Sequence, residues 1–144
     1  MKQKYLLNAI TAILFSTQLL ALPPQVEADR LGLAAKTAME AKDYETAVEK
    51  LEAMQKLGVK LPDTFSYHYG VSLLETGRYK DAQDMFDKYL SQGQGAKFYK
   101  EALIALNTIE TSLKNIELEK MRIQRDKDEL EYDQVQKLYN NLIK

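Results

Sequence analysis

Few side chains in this 144-residue chain could perform acid–base or covalent chemistry. The chain has one histidine, His68, which stands between Tyr67 and Tyr69, and it has no cysteine. A metal site built on histidine or cysteine needs a second such ligand, and general acid–base catalysis needs a carboxylate in a sheltered pocket. The carboxylates here are scattered among lysines, as in solvent-exposed helix pairs. We therefore predict no enzyme, no catalytic residue, no cofactor and no metal, with His68 at the surface or between packed helices.

The charge balance argues against a nucleic-acid partner. Twenty basic and twenty-one acidic residues leave a formal net charge of −1. Binding to the phosphate backbone depends on an excess of positive charge, which is absent. The length predicts one domain, and the lack of cysteine excludes a disulfide framework.

Two short helices are predicted in the stretch from Pro62 to Leu90. Gly77 should end the first helix, because glycine enters the left-handed cap conformation without strain. Residues at helical spacing mark one inner face on each helix: Tyr69, Gly70 and Leu73, then Tyr79, Ala82, Phe86 and Tyr89. The same pattern occurs thirty-five residues earlier, where Ala35, Tyr44, Ala47 and Leu51 take the places of Gly70, Tyr79, Ala82 and Phe86. The chain thus contains two copies of one helical hairpin.

This pattern resembles the tetratricopeptide repeat, a helix–turn–helix unit with a period of thirty-four residues. The resemblance implies an all-α fold: a short solenoid of two repeats over residues 29–95, with a long C-terminal capping helix. Residues 96–144 would supply that helix and a charged helical tail, with a weaker third match from Lys97 to Ile109. Three departures from the family stand out. Ser66 replaces a large aromatic residue beside Phe65, Lys42 replaces a turn glycine, and the period is one residue longer.

The resemblance also implies a binding groove, because in this family the first helices of successive repeats line a concave surface that holds peptides or partner helices. The matching positions, our predicted partner-binding residues, are Lys36, Met39, Glu40, Tyr67, Val71, Leu74, Glu75, Tyr99 and Leu103. Gly32 and Val71 depart from the family's clamp for carboxylate tails, so the resemblance does not imply that specialised role. An alternative is self-coverage, in which the C-terminal helix folds back and fills the groove with Tyr132, Val135 and Leu138.

The first twenty-eight residues have the pattern of a secretory signal. Lys2 and Lys4 precede an apolar stretch from Leu6 to Leu22, two prolines follow, and the segment ends at Ala28. We expect cleavage before Asp29, a periplasmic or secreted mature chain and no stable membrane insertion; an uncleaved membrane anchor is the alternative. The first helix of the mature chain should then run from Asp29 to Lys42.

The C-terminal helix carries a broken apolar seam. Leu113, Ile116, Ile123 and Leu130 follow a heptad, with Lys120 and Lys127 in the intervening positions. Such interruptions weaken a coiled coil. A second apolar stripe ends the chain: Tyr132, Val135, Leu138, Tyr139 and Leu142. A homo-oligomer through this helix is therefore a second hypothesis.

Taken together, the sequence predicts a non-enzymatic, exported adaptor. Its partner would be a protein or peptide, held in the groove as part of an envelope or secretion assembly. A structural oligomerisation protein and a regulatory subunit of an exported enzyme are the alternatives.

Overall fold

The computed structural model describes residues 22–143, which form five α-helices and, within that range, no strand. The helices are α1 (Pro24–Glu40), α2 (Tyr44–Lys56), α3 (Phe65–Glu75), α4 (Tyr79–Leu90) and α5 (Tyr99–Leu142). The all-α prediction is confirmed. Most of the expected signal segment, residues 1–21, lies outside the described residues. No helix among residues 22–143 is long and apolar enough to cross a membrane.

Two expected helix starts were wrong. Helix α1 begins at Pro24, five residues before the expected Asp29, because proline fits the first helical position, where its missing N–H is not needed. Ala28, placed at the end of the signal segment, is fully buried in α1. Helix α3 begins at Phe65 rather than at Pro62, and the Pro62 carbonyl instead accepts a hydrogen bond from the Phe65 amide at 2.9 Å.

The two hairpins turn in the same way, thirty-five residues apart. In the first turn the Asp43 amide donates to the Ala38 carbonyl at 2.9 Å; in the second, the Arg78 amide donates to the Leu73 carbonyl at 2.9 Å. Both are helix ends that require one left-handed residue. Gly77 has φ +76° in the second turn, and Lys42 has φ +59° at the equivalent place in the first. Asp43 also caps α2, as predicted, because its carboxylate accepts from the Thr46 amide at 3.1 Å.

The core follows the same offset. Pairs of equivalent residues are buried in the two hairpins: Leu31 and Ser66, Ala35 and Gly70, Ala38 and Leu73, Ala47 and Ala82, Leu51 and Phe86, Met54 and Tyr89. Helix α1 packs on α2, α3 on α4, and α2 on α3, so each hairpin contacts the next element along the chain. The burial pattern agrees with a duplicated hairpin; the tetratricopeptide assignment and the solenoid arrangement stay proposals.

A polar network joins the two hairpins. Glu52 on α2 accepts from the Tyr69 hydroxyl at 3.2 Å and pairs with Arg78 at 2.9 Å, and Arg78 also reaches Asp81 at 2.8 Å. Burial first, and then the Glu52 carboxylate, raise the pKa of Tyr69 to about 12. The tyrosine therefore stays protonated and donates to Glu52 throughout the physiological range.

Helix α5 is anchored at its start and free beyond its first third. The hydroxyl oxygen of the buried Tyr89 accepts a hydrogen bond from the Phe98 amide at 2.9 Å, just before the helix begins. Ala102 and Ile109 are buried against the hairpins, and Leu113 is half-buried. Every residue from 114 to 143 is exposed. The suggested self-coverage is therefore wrong: α5 continues as one helix to Leu142, and Tyr132, Val135 and Leu138 are 64%, 62% and 64% exposed.

The contact between Gly70 and Phe86 gives the first prediction. A Cβ atom on Gly70 would lie 3.0 Å from Cε1 of the Phe86 ring, so Gly70→Leu should overpack the crossing of α3 and α4 and lower the unfolding free energy by about 1–3 kcal/mol. Phe86→Ala should leave a cavity and cost about 3–5 kcal/mol.

The matched control is Gly32→Ala, whose Cβ would meet only the flexible end of Met54 at 3.5 Å. We expect the control to be neutral or stabilising by up to about 1 kcal/mol. Equal denaturant midpoints for all three variants would contradict this packing.

Lys42 gives the second prediction. A side chain in the left-handed region costs about 1–2 kcal/mol, partly offset by the greater chain entropy that glycine loses on folding. Lys42→Gly should therefore raise the unfolding free energy by about 0.5–1 kcal/mol in urea denaturation. Lys42→Ala is the control, because it removes the same charge but keeps a Cβ, and it should leave stability nearly unchanged. Stabilisation by both variants would assign the effect to charge instead.

Candidate functional site

The candidate site is a cleft of about 740 Å³ between α1 and the start of α3. Helix α2 forms its floor with Leu51 and Met54, and the residues before α5 close one end with Lys97 and Phe98. The walls are residues of α1 and of the α3 start: Asp29, Gly32, Ala35, Lys36, Met39 and Glu40 on one side, and Pro62, Thr64, Phe65 and His68 on the other. The α1 residues recur every three to four positions and therefore lie on one face of that helix.

The cleft exists because one position of the repeat lacks a side chain. Gly32 lines the cleft, and the residue thirty-five positions later is Tyr67. The Tyr67 ring stacks on Phe98 with 4.3 Å between ring centroids and lies 5.4 Å from the ring of Tyr89. The aromatic side chain fills, in the second hairpin, the space that glycine leaves open in the first. We therefore regard the open space beside Gly32 as the feature that makes a site.

The structure separates the predicted partner-binding residues into two groups. Lys36, Met39 and Glu40 line the cleft, as the groove prediction placed them. The residues predicted from the second repeat do not line it: Tyr67, Val71 and Leu74 are half-buried against the core, and Glu75 is exposed. Of the two expected on the third helix, Tyr99 is half-buried and Leu103 is 42% exposed, both away from the cleft. The α1 residues are thus the ones with open space in front of them.

The rim of the cleft carries charges of both signs. Lys36 and Glu40 form an exposed pair at 3.8 Å, and Asp29 and Lys97 also stand at the edge. The interior is apolar, with Met39, Met54, Phe65 and Phe98 among its walls. Such a surface can hold an apolar group inside and align polar groups at its edge, the usual arrangement of a recognition site.

His68 and Phe98 are two aromatic cleft residues that the sequence analysis did not place there. The His68 ring is half-buried and meets the rings of Tyr67 and Phe98 edge-on, with centroids 5.4 Å and 5.6 Å away. This agrees with a helix-packing histidine. Burial first, and then the positive charge of Lys97, lower the pKa of His68 below 6.5. The repeat offset gave no warning, because the equivalent of His68 is the outward-facing Leu33 and Phe98 has no aromatic counterpart.

Over residues 22–143 no group of three or more His, Cys, Asp or Glu side chains could hold a metal ion, and every buried side-chain nitrogen or oxygen has a hydrogen-bond partner. Comparison of the chain with protein-family models, with curated proteins and with solved structures found no match. The cleft and the exposed part of α5 are the candidate functional surfaces of the described residues.

The lowered pKa of His68 gives the third prediction. A base whose folded pKa is below its unfolded value of 6.5 binds fewer protons in the folded state. The unfolding free energy should then be at its plateau above pH 6.5 and fall as the pH drops toward the folded pKa. The carboxylate of Glu52 contributes at lower pH, because the bond from Arg78 lowers its pKa below 4.5.

The measurement is urea denaturation at a series of pH values between 7 and 4.5, on the wild type and on His68→Gln. His68 is the only histidine, so the variant should flatten the profile over this range. A wild-type profile that is already flat, or one that persists in His68→Gln, would contradict the assignment.

Proposed function

We propose that this protein is a non-enzymatic adaptor that binds a peptide segment of another protein in the cleft beside Gly32. The observation that carries the proposal is the open apolar space on α1, in the position where the resemblance to tetratricopeptide repeats predicts a binding groove. Export to a periplasm or beyond, and a role in an envelope or secretion assembly, belong to the same proposal and depend on the signal-like residues 1–28.

The dimensions of the cleft favour a short segment of polypeptide. Its α1 wall runs from Asp29 to Glu40, about 16 Å at the helical rise per residue. That length matches about five residues of extended chain. The apolar interior suits one or two large apolar side chains, and the mixed charges at the rim can meet the polar groups of a backbone or of flanking residues.

The fourth prediction tests the cleft with substitutions of two residues that line it. Met39→Glu places a charge in the apolar interior, and Gly32→Phe fills the open space in the way that Tyr67 fills its counterpart. Either should reduce affinity for the partner peptide at least about tenfold, because each removes the pocket for an apolar anchor. Leu33→Glu is the matched control: it adds the same charge to the same helix six residues earlier, on a side chain that is 66% exposed outside the cleft.

The partner is first identified with a photo-reactive amino acid at position 39 in the native host, with the same group at position 33 as the background. A peptide from the crosslinked segment is then titrated against the variants, and circular dichroism checks that each is folded. Loss of affinity in Met39→Glu and Gly32→Phe with no loss in Leu33→Glu is the expected result. Unchanged affinity in both cleft variants would reject the proposal. Val71 and Leu74 are unsuitable test positions, because they are half-buried against the core and charges there would perturb packing.

A further inference from the structure

We propose that the exposed part of α5 pairs with the same part of a second copy of this chain, antiparallel, about a two-fold axis at Glu129. From Lys114 onward α5 is fully exposed, yet it carries ten large apolar side chains that are at least 40% exposed. An apolar surface of this extent on one helix needs a partner. The spacing and the charges of one face of α5 indicate which partner it is.

One face of the helix runs through the whole exposed segment. Its members are Ile116, Lys120, Ile123, Lys127, Glu131, Val135, Leu138 and Leu142, spaced by four, three, four, four, four, three and four residues. At 100° per residue these positions stay within a stripe about 120° wide. The buried Ile109 and the half-buried Leu113 belong to the same stripe, so the face that packs on the hairpins continues into solvent.

The spacing along this face reads the same in both directions. A two-fold axis perpendicular to two antiparallel helices places each residue opposite the partner's residue that is equally far from the axis in the other direction along the sequence. A face that pairs with itself in this way must therefore have the same spacing when it is read from either end. In α5 the spacing is symmetric about position 129, so the axis passes at the level of Glu129, whose own side chain lies on the opposite side of the helix. It pairs Ile116 with the partner's Leu142 and Ile123 with the partner's Val135, which are apolar layers on either side of the axis.

The charges on the face select the antiparallel pairing. In a parallel, in-register pair Lys120, Lys127 and Glu131 would each face their own copy, giving three layers of like charge, which are destabilising. In the antiparallel pair Lys127 faces the partner's Glu131, and this ion pair occurs twice. Neither of these two residues forms an ion pair within residues 22–143 of its own chain. Lys120 lies opposite the partner's Leu138, where its aliphatic stem can pack and its ammonium can reach water.

The wider charge pattern supports the same orientation. Residues 120–127 carry four basic side chains and one acidic, and residues 128–133 carry four acidic side chains and no basic one. Parallel pairing would oppose each block to itself. Antiparallel pairing about Glu129 sets residues 120–127, with a net charge of +3, against residues 131–138 of the partner, with a net charge of −1, and this attraction also steers the two copies together.

The test is a charge exchange in the full chain, read by sedimentation equilibrium. The wild type is expected to be a dimer. Lys127→Glu or Glu131→Lys alone should raise the dimer Kd about 100-fold, because each leaves charged groups facing like charges. The double variant Lys127→Glu with Glu131→Lys restores both ion pairs and should recover the wild-type Kd within about threefold. Glu129→Lys is the matched control, because the same charge reversal lies on the opposite side of the helix and should change little.

Disulfide trapping then fixes the orientation, since the chain has no native cysteine. Ile123→Cys and Val135→Cys are prepared as separate proteins of different mass and mixed under mild oxidation. The antiparallel pair predicts the mixed disulfide as the main product. Disulfides between identical chains as the main product would overturn the orientation. A monomeric wild type, or a dimer unaffected by all the tail variants, would overturn the proposal as a whole. None of these results depends on whether the cleft binds a peptide.

Discussion

The close crossing of α3 and α4 at Gly70 is the contact on which the rest of the structure depends. The Phe86 ring lies so near Gly70 that an added Cβ would be 3.0 Å from it, and this closeness leaves Phe86 fully buried. The same helix α4 carries Tyr89, whose hydroxyl holds the start of α5 through the Phe98 amide. A wider crossing would move Tyr89 away from that amide. It would also displace Phe98, which stacks on Tyr67 and closes one end of the cleft. The packing at Gly70 thus affects both the cleft and the position of α5.

Much of the fold could be predicted from the sequence because the same pattern of small and large residues occurs in both hairpins. The offset of thirty-five residues predicted which small and large residues would be buried, and the left-handed turn residue followed from Gly77. The sequence could not show that Lys42 adopts the same backbone at φ +59°, because a lysine gives no local signal for that conformation. It also misjudged the start of α1, since a proline breaks a helix in its interior but begins one at its first turn.

The candidate site was predictable only in part, because it depends on a difference between the two hairpins. Repeat matching placed Lys36, Met39 and Glu40 in a groove, and these α1 residues line the cleft; it placed their second-hairpin counterparts in the same groove. Of those counterparts, Val71 and Leu74 are half-buried against the core and Glu75 is exposed, and the nearby Tyr67 is covered by the ring of Phe98. A repeat pattern describes what neighbouring copies share. A cleft arises where they differ, here at Gly32 against Tyr67, and its final shape depends on the element that ends the array.

Each chain carries the cleft beside Gly32 once, so the number of these clefts in an assembly equals the number of chains. If two chains pair along α5 about Glu129, the hairpin ends of the two helices point in opposite directions. Their Leu113 residues would then lie about 48 Å apart along the helix axis. A partner with two binding segments within that span, or two partners on one surface, would be held with an effective concentration that a single cleft cannot supply. The rigid helix between the clefts sets that span, because an uninterrupted helix without proline or glycine from Ala96 onward resists bending.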